Sequence, residues 1–393
     1  MGRIVLLKGQ SQYDVLRIFI DQLGAAFSQQ LGKEVYIVDL LSPNMNDELN
    51  KAFSQPCEFA VAFNAMGGAI NLDNQNMYDV LDIPFVAVLV DHPLYHEERL
   101  GLVKNMIVTC VDRDHVNYLK QVKHQATKAF LPHGGSKWIG DNDSDESNRK
   151  INVLFGGSYL NSNHAYEPIK DLPNYIKRIL DEVIEATLWQ NGISMEDSLN
   201  KLIENRDIYV DDELSYKLNL LLRPVDQFIR ARRREKVIEV LAKSGIEVDI
   251  YGNGWEDIYR ASSLRIHQPV DFLSMLKLMN KSKIVLNIGP NFANGSHERV
   301  FSAMLNGAMA VADNNQYFAS AFESEEEILL FDWRDLDILP DKIADYLSKP
   351  DQISAIANKG RKKAETKHTW RNRAEKIIEI VEVYTMKKKI SMS

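Results

Sequence analysis

The stretch SHERVFSAMLNGAMAVADN, residues 296–314, follows the apolar run KIVLNIGPN of residues 283–291. Within it, the apolar residues of VFSAML fall on one face of a helix, and Gly307 is placed to end that helix. The run AMAV then forms a short apolar strand that is closed by Asp313. Because a helix between two such strands connects parallel neighbours, this stretch predicts a parallel sheet with helices packed against it.

The same alternation of apolar runs and helical patterns extends through most of the chain. Near-continuous apolar strands are typical of a parallel sheet that is covered on both faces. We therefore predict an α/β fold of two doubly wound, Rossmann-like domains that face each other across a cleft. The runs are RIVLL, EVYIVDL, EFAVAFNA, PFVAVLV, NMIVTCVD and KAFLPHG in the first half, and INVLFGGSY, IEVDIYGNGW, IVLNIGPN, AMAVADN and EILLFDW in the second.

Breaks in this alternation predict the domain boundaries. We expect an N-terminal, acceptor-side domain over residues 1–136 and an acidic, polar linker over 137–150. A second domain follows over residues 151–372, with a charged helical insertion at about 166–243 that has no obvious strands. Residues 373–393 are predicted to be a C-terminal helix with a basic tail.

Composition and charge narrow the function. The net charge of −8 argues against nucleic acid as the main partner. Two cysteines without a pairing pattern indicate a reducing compartment, and the N-terminal MGRIVLLKGQ resembles a first strand more than a signal peptide. We therefore expect a cytoplasmic protein. Two further hypotheses are contact of the basic tail MKKKISMS with an anionic membrane surface and self-association through the helical insertion.

Several strands of the second domain end in glycine or small polar residues, and glycine lets a ligand approach the backbone closely. Because ligands of such sheets lie at the carboxyl ends of the strands, these residues are expected to bind one. Trp255 has two open interpretations, stacking on a base or sugar ring and packing in the core. The predicted ligand-binding residues are Gly252, Asn253, Gly254, Trp255, Asn294, Gly295, Ser296, His297, Ser302 and Asp313.

The helix within residues 296–314 is a candidate diphosphate site. Ser296 is predicted to be its N-cap, so the free N–H groups and positive dipole end would face the ligand. Arg299 adds a guanidinium that can bind phosphate oxygens in pairs, and Glu298 lies beside it. The alternative is a solvated first turn. The arginines of RARRREK are additional candidate cations, with a solvated basic face as the alternative.

In the first domain, Asp91 and His92 follow a strand in VLVDHPLYHEERL. An imidazole there could remove a proton from an acceptor hydroxyl, although a histidine that caps a loop is equally compatible with the pattern. His133 follows the last strand, and Gly9 and Gln10 follow the first. These three residues are predicted to lie on the acceptor side.

SHERVFSAMLNGAMAVAD resembles the donor-binding stretch of GT-B glycosyltransferases, in particular the CgeB-like (spore maturation protein-like) group. The resemblance extends to VDIYGNGWE, KIVLNIGPN and HTWRNRAEKII, over roughly residues 230–385. It implies transfer of a sugar from a nucleotide-diphosphate sugar, most readily a UDP-sugar, to a glycan, protein or lipid-linked acceptor. It implies no metal and no other cofactor. From their places after a strand and at the start of the helix, we predict His92, Asp91, Arg299 and Glu298 as the catalytic residues.

The chain departs from that family pattern at two positions. Many retaining members carry two glutamates, and the corresponding residues here are Asn294 and Ser302. In the family, the second glutamate holds the ribose hydroxyls. This departure keeps two alternatives open: a non-catalytic protein that binds nucleotide sugar, and a GT-B-type sugar-nucleotide epimerase.

Overall fold

The structure is a computed structural model that describes residues 2–140, 149–207, 209–256 and 261–392. The chain forms two compact units. One consists of Met1–Ser136 together with Lys367–Ser393, and the other of Lys137–Thr366. Within the described ranges, no helix is long and apolar enough to cross a membrane.

The first unit contains a six-stranded sheet in the order β2-β1-β3-β6-β7-β8, with every neighbouring pair parallel. A small antiparallel hairpin, β4-β5, follows β3. The strands are β1 (Arg3–Lys8), β2 (Val35–Asp39), β3 (Cys57–Phe63), β4 (Asn71–Leu72), β5 (Gln75–Asn76), β6 (Phe85–Leu89), β7 (Met106–Cys110) and β8 (Thr127–Phe130). The helices are α1 (Val15–Ala25), α2 (Met45–Phe53), α3 (Met77–Val80), α4 (Glu97–Leu100) and α5 (Arg113–Gln121), with the C-terminal helix, Trp370–Met392, described below.

The C-terminal helix of the chain packs on the first unit. The Trp370 ring lies 4.9 Å from that of Phe19 and 5.7 Å from that of Phe63. The Arg373 Nε donates to the carbonyl of His133 over 2.7 Å. The boundary between the units therefore lies at 366/367 rather than at the predicted 372, because these aromatic contacts draw the start of the helix into the first unit.

The second unit contains a six-stranded sheet in the order β11-β10-β9-β12-β13-β14, again with parallel pairs. Its strands are β9 (Ile151–Gly156), β10 (Val248–Tyr251), β11 (Leu264–His267), β12 (Ser282–Leu286), β13 (Met309–Asp313) and β14 (Leu329–Phe331). Its helices are α6 (Ser162–Lys170), α7 (Asn174–Leu188), α8 (Met195–Asn205), α9 (Asp212–Leu220), α10 (Leu222–Lys243), α11 (Phe272–Asn280), α12 (Glu298–Leu305), α13 (Gln316–Ala321), α14 (Leu339–Leu347) and α15 (Pro350–Lys367). The C-terminal helix of the first unit is α16.

The predicted α/β fold with two parallel, Rossmann-like sheets is confirmed. Helices α6 to α10 occupy the stretch where the sequence predicts a helical insertion. The last of them packs along the sheet, with Val237 and Leu241 in one core cluster with Phe155, Val248 and Ile250. This packing places the arginine-rich part of α10 near the carboxyl end of β9.

Both flanks of the predicted linker are bonded to the last turn of α12. The Trp138 N–H donates to the Asn306 Oδ1 over 2.7 Å, and the Arg149 Nη2 donates to the Asn306 carbonyl over 2.9 Å. The Arg149 Nη1 also donates to the Ser282 carbonyl. Residues 141–148 of the linker lie outside the described residues.

Candidate functional site

The helix predicted from residues 296–314 is α12, and it begins one residue later than a Ser296 cap requires. Its N-cap is His297, whose Nδ1 lies 3.3 Å from the Arg299 N–H. Ser296 is fully buried. The prediction of Ser296 as N-cap is therefore wrong, because the helix begins at Glu298 and its N-cap position falls on His297.

His297 and Glu298 form a close pair at this helix start. The His297 Nδ1 lies 2.7 Å from the Glu298 Oε2, much closer than it lies to the Arg299 N–H. One nitrogen cannot donate and accept along the same lone-pair direction, so the shorter contact indicates that Nδ1–H donates to the carboxylate. Because Glu298 is buried and paired in this way, it contributes a local negative charge to the first turn rather than a freely accessible carboxylate.

Arg299 and Arg234 converge on one aromatic ring. The guanidinium carbon of each lies 5.9 Å from the centre of the Phe155 ring. Burial lowers the pKa of both side chains, that of Arg234 to about 9, where the charges of Arg230 and Arg299 lower it further. Bringing two guanidinium groups together in this way disfavours their charged forms unless an anion balances them.

These two guanidinium groups retain unused donors. Within the described residues, the Arg299 guanidinium has no hydrogen-bond partner. The Arg234 Nη1 donates to the Ser158 carbonyl over 2.5 Å, while its buried Nε has no partner in the described part of the chain. A buried donor without a partner, such as the Arg234 Nε, is costly, and guanidinium donors bind phosphate and carboxylate oxygens strongly.

The turn after β9 lies directly against Arg234. A Cβ on Gly157 would come within 3.7 Å of the Arg234 guanidinium carbon and 3.0 Å of the Phe155 ring. The neighbouring turn after β10 packs on this one, since a Cβ on Gly252 would lie 2.3 Å from the Gly157 carbonyl oxygen. Gly252 is thus required for contact between two backbone turns, whereas Asn253 and Gly254 are exposed at the same edge.

Trp255 is a core residue. Its side chain is fully buried, and its Nε1 donates to the Gly157 carbonyl over 2.8 Å. Its ring packs edge-on against Tyr159, with 5.3 Å between centres. Of the two interpretations of the sequence, the structure supports the core one, because a fully buried ring offers no face to a ligand.

The three consecutive arginines of α10 have different environments. Arg232 is partly exposed and lies 3.4 Å from the Glu235 carboxylate. Arg233 is buried and donates to the carbonyls of Thr187, Leu188 and Gln190 and to the Asn291 side chain. Arg234 faces the β9 turn. Only Arg234 therefore has donors available at the strand ends.

Asp313 ends β13 and is buried. Burial raises the pKa of its carboxyl group to about 6, an effect opposed by the charge of Arg233 and by the Gly289 N–H. A carboxyl group in this state changes charge near neutral pH. It balances Arg233, and the charge of Glu298 acts on Arg299, whereas the charged groups that act on Arg234 are the cations Arg230 and Arg299.

The positions that depart from the family pattern do not supply replacement carboxylates. The Asn294 Nδ2 donates to the Gln316 Oε1 over 3.1 Å, and the Gly295 carbonyl accepts from the Asn315 Nδ2 over 3.0 Å. Ser302 is fully buried, so its hydroxyl does not face a ligand and the prediction that it contacts the nucleotide is wrong. A side chain on the middle of α12 is covered by the sheet against which that helix packs.

In the first unit, His92 is the N-cap of a short 3-10 turn, Pro93–Tyr95, and its Nδ1 accepts from the Leu94 N–H over 3.1 Å. The imidazole is buried, with its ring centre 4.2 Å from that of His115. This is the capping arrangement that the sequence left open as the alternative to catalysis. Asp91 is only partly buried, and its Oδ2 lies 3.5 Å from the Asn64 Nδ2.

The predicted acceptor-side residues lie at strand ends but differ in exposure. His133 is buried, with its ring 6.0 Å from that of Phe19. Gly9 is also buried, and a Cβ there would lie 2.5 Å from the Met66 sulfur. Gln10 is exposed. Gln10 and Asp91 are therefore the accessible members of the predicted set in this unit.

One pair of rings at the strand ends of the second unit was missed from the sequence. Tyr251 and His267, the last residues of β10 and β11, are stacked with ring centres 4.4 Å apart and an angle of 13°. The short edge strand LRIH has only two apolar residues, so its pattern was too weak to predict β11. Among the described residues, no group of three or more histidine, cysteine and acidic side chains is arranged to hold a metal ion.

Residues 232–379 match the family model described as glycosyl transferase-like. No curated protein sequence gives a match. Among solved structures, the chain is similar to Anabaena HepE in complex with UDP-glucose, with 11% identity, 98% of this chain and 100% of that chain covered, and a TM-score of 0.53. It is also similar to a Thermosynechococcus elongatus sucrose-phosphate synthase, with 10% identity, both chains fully covered and a TM-score of 0.52.

A third structure is a glycosyltransferase involved in avilamycin A biosynthesis, with 13% identity, 97% of each chain covered and a TM-score of 0.51. These likenesses extend over essentially the whole chain in each case. The chain therefore has the GT-B fold. The segment that matches the glycosyl transferase-like model includes Arg234, Arg299, Tyr251 and His267.

Proposed function

We propose that the protein is a glycosyltransferase that takes its sugar from a nucleotide-diphosphate donor bound by the second unit. The observation that carries the proposal is the pair of partly buried, like-charged guanidinium groups of Arg234 and Arg299 beside the turn after β9. A diphosphate supplies negative charge beyond that of Glu298, which acts on Arg299, and accepts the unused donors of both guanidinium groups. In sugar transfer, the diphosphate is the leaving group, so the same donors stabilise the charge that develops on it.

Two further observations support this assignment. The match to the glycosyl transferase-like model spans the second half of α10, α12 and the strands between them. HepE, which shares the fold, is bound to UDP-glucose in its crystal structure. We therefore propose a UDP-sugar as donor and a hexose as the transferred group, and we place the chain in the CgeB-like group on the residues of α12 and β13 quoted above.

Other parts of the proposal concern the acceptor and its environment. We propose a glycan, protein or lipid-linked acceptor that is held by the first unit, with Asp91 and Gln10 as its accessible contacts. We propose that transfer does not depend on a metal, because guanidinium groups can neutralise the diphosphate. A location in the cytoplasm is a separate proposal. Contact of the basic end of α16 with an anionic membrane, and self-association, are separate hypotheses that vesicle sedimentation and light scattering test directly.

Calorimetric titration of the full chain with UDP, GDP, CDP and dTDP tests the donor site. We expect one nucleotide to bind, and Arg234→Ala and Arg299→Ala each to weaken it by about 10- to 150-fold, the range for lost hydrogen bonds to a charged group. Arg232→Ala is the matched control on the same helix and should bind normally. If no nucleotide binds to the wild-type chain at millimolar concentration, the proposal fails.

A non-catalytic nucleotide-sugar-binding protein is the second candidate, favoured by the burial of Ser302 and by Asn294. Incubation with a labelled nucleotide sugar separates the possibilities by product. Transfer gives labelled acceptor, a GT-B-type epimerase gives a second nucleotide sugar, and a binding protein gives neither. A panel of glycan, protein and lipid-linked acceptors is needed, because transfer is seen only with a suitable one.

A further inference from the structure

The outward side of α16 carries a row of exposed apolar side chains near the end of the chain. Val383, Met386 and Ile390 are 53%, 63% and 68% exposed. Their spacing of three and four residues places them in line on one side of the helix. The other side of α16 is covered by the first unit, where Ile377 and Val381 are buried. We call the three exposed residues the α16 seam, and such a row is typical of a surface that another helix covers.

Charged residues of opposite sign flank the α16 seam. Glu382 and Lys389 lie on the same side of it, two helical turns apart, and both line a groove of about 590 Å³ beside the helix. The groove is also lined by the apolar side chains of Phe59, Ile378 and Val381. This flank is therefore acidic at one end and basic at the other. A surface with that pattern is complementary to a copy of itself that runs in the opposite direction.

From this pattern we infer that the α16 seam pairs with the α16 seam of a second copy of the chain, with the two helices antiparallel about a twofold axis. With the axis near Met386, Val383 of each copy packs against Ile390 of the other. The two Met386 side chains meet at the centre, and Glu382 of each copy faces Lys389 of the other. The two grooves then adjoin, because the axis brings the same flank of both copies together. This pairing is independent of the nucleotide site, which lies in the second unit.

The charges of this helix disfavour two other arrangements. A parallel pair would place the basic runs 387–389 of both copies side by side, where like charges repel. An anionic membrane would attract these lysines but would repel Glu379 and Glu382, which are exposed on the outward side of the helix. Lys388 is in addition paired with Asp82 of its own chain. Only the antiparallel pair sets acidic groups against basic ones along the whole seam.

The size of the seam predicts a weak, concentration-dependent dimer. Three seam residues and one groove per copy form a small contact, and interfaces that bury less than about 1,200 Å² in total are typical of transient complexes. Sedimentation equilibrium of the full chain, from micromolar to near-millimolar concentration, measures the association. We expect the average mass to rise from that of the 44.9 kDa chain towards twice this value.

A charge placed in the seam should prevent this association. Met386→Glu puts two carboxylates at the centre of the pair, so we expect it to remain monomeric over the whole concentration range. The matched control is Leu41→Glu, which adds the same charge at an exposed leucine of the same unit. It should associate as the wild-type chain does. Both positions are exposed, so neither substitution disturbs the core.

Exchange of the flanking charges tests the antiparallel arrangement itself. Glu382→Lys and Lys389→Glu each set like charges against one another across the axis. Each variant alone should associate more weakly than wild type by about 2- to 30-fold, the range for two exposed ion pairs. An equimolar mixture of the two variants should regain association, because a mixed pair again sets opposite charges against one another.

The possible results separate the pairing from its alternatives. A wild-type chain that stays monomeric at near-millimolar concentration overturns the inference. Association that is unchanged in Met386→Glu also overturns it, because another surface then joins the copies. Loss in Met386→Glu without recovery in the charge-exchanged mixture contradicts the antiparallel pair. Binding of a monomeric chain to vesicles of phosphatidylglycerol and phosphatidylcholine, lost in Met386→Glu, assigns the seam to a membrane surface instead.

Discussion

The guanidinium groups of Arg234 and Arg299 approach the same aromatic ring, that of Phe155, from two different helices. They come from the middle of α10 and the first turn of α12, which are separated in the chain by β10, β11 and β12. This arrangement places like charges at one ring in a partly buried position. Such an arrangement lowers the free energy of unfolding, and binding of an anionic ligand offsets this loss.

That cost leads to a prediction about stability. Replacement of Arg299 by Met keeps the length and apolar stem of the side chain and removes its charge. We expect the unliganded protein to unfold at the same or a higher temperature, and the stabilisation by a nucleoside diphosphate to be lost. Wild-type protein at a ligand concentration of a hundred times Kd should gain about 2.7 kcal/mol. Thermal unfolding with and without ligand measures both effects.

The matched substitution is Arg232→Met, at an arginine that is partly exposed and paired with Glu235. It should change the ligand-induced stabilisation little. A lower melting temperature for unliganded Arg299→Met than for Arg232→Met would show that Arg299 stabilises the fold instead, and the like-charge argument would then be wrong.

Asp313 predicts a specific pH dependence of stability. Its pKa is raised from the ordinary 3.8 to about 6 in the folded protein. The folded state therefore binds the proton more tightly than the unfolded state, and protonation of Asp313 raises the free energy of unfolding. This contribution is fully present below pH 3.8 and is lost as the pH rises through 6. The difference corresponds to about 3 kcal/mol.

Substitution Asp313→Asn removes this titration. The free energy of unfolding of the wild-type protein, relative to the variant, should fall between about pH 4 and pH 7. Urea unfolding at a series of pH values measures the difference, in which the titrations of other groups cancel. A constant difference over this range contradicts the raised pKa of Asp313.

The close contact at Gly252 predicts that a side chain added there destabilises the protein. A methyl group there would lie 2.3 Å from the Gly157 carbonyl oxygen, so Gly252→Ala must push apart the turns after β9 and β10. Overpacking of this kind costs typically 1–3 kcal/mol (about 2–12 °C in melting temperature for domains of ordinary size). The control is Gly101→Ala, where φ is −88° and no atom lies within 4 Å of the added methyl group. Equal melting temperatures for the two variants would mean that the turns are not in contact.

The packing of Trp370 predicts that the stability of the first unit depends on α16. Its buried ring packs on Phe19 and Phe63, so Trp370→Ala should destabilise that unit by about 3–5 kcal/mol. Ile390→Ala, at an exposed position on the same helix, should have little effect. Hydrogen exchange of the amides of β1 and β3 measures the loss locally. Unchanged protection of these strands in Trp370→Ala would contradict the packing.

The architecture could be predicted from the sequence because strands that are buried in a parallel sheet have uninterrupted apolar sequences. IVLL, FAVAF and VAVL lie in strands β1, β3 and β6, and the run at residues 151–156 is β9. Where that condition fails, the prediction fails too. LRIH at 264–267 has a charged and an aromatic polar residue because β11 is an edge strand, so it was missed.

The chemistry of individual residues was decided by tertiary structure. Arg232, Arg233 and Arg234 are equivalent in the sequence, yet one is partly exposed, one bonds to backbone carbonyls and one faces the β9 turn. Consecutive residues on a helix point about 100° apart, so the elements around α10 give each arginine a different environment. The sequence by itself thus determined the two sheets and the edge at which ligands are expected. Only packing between distant elements determined that Trp255 is core, that His297 is the cap, and that Arg234 and Arg299 approach the same Phe155 ring.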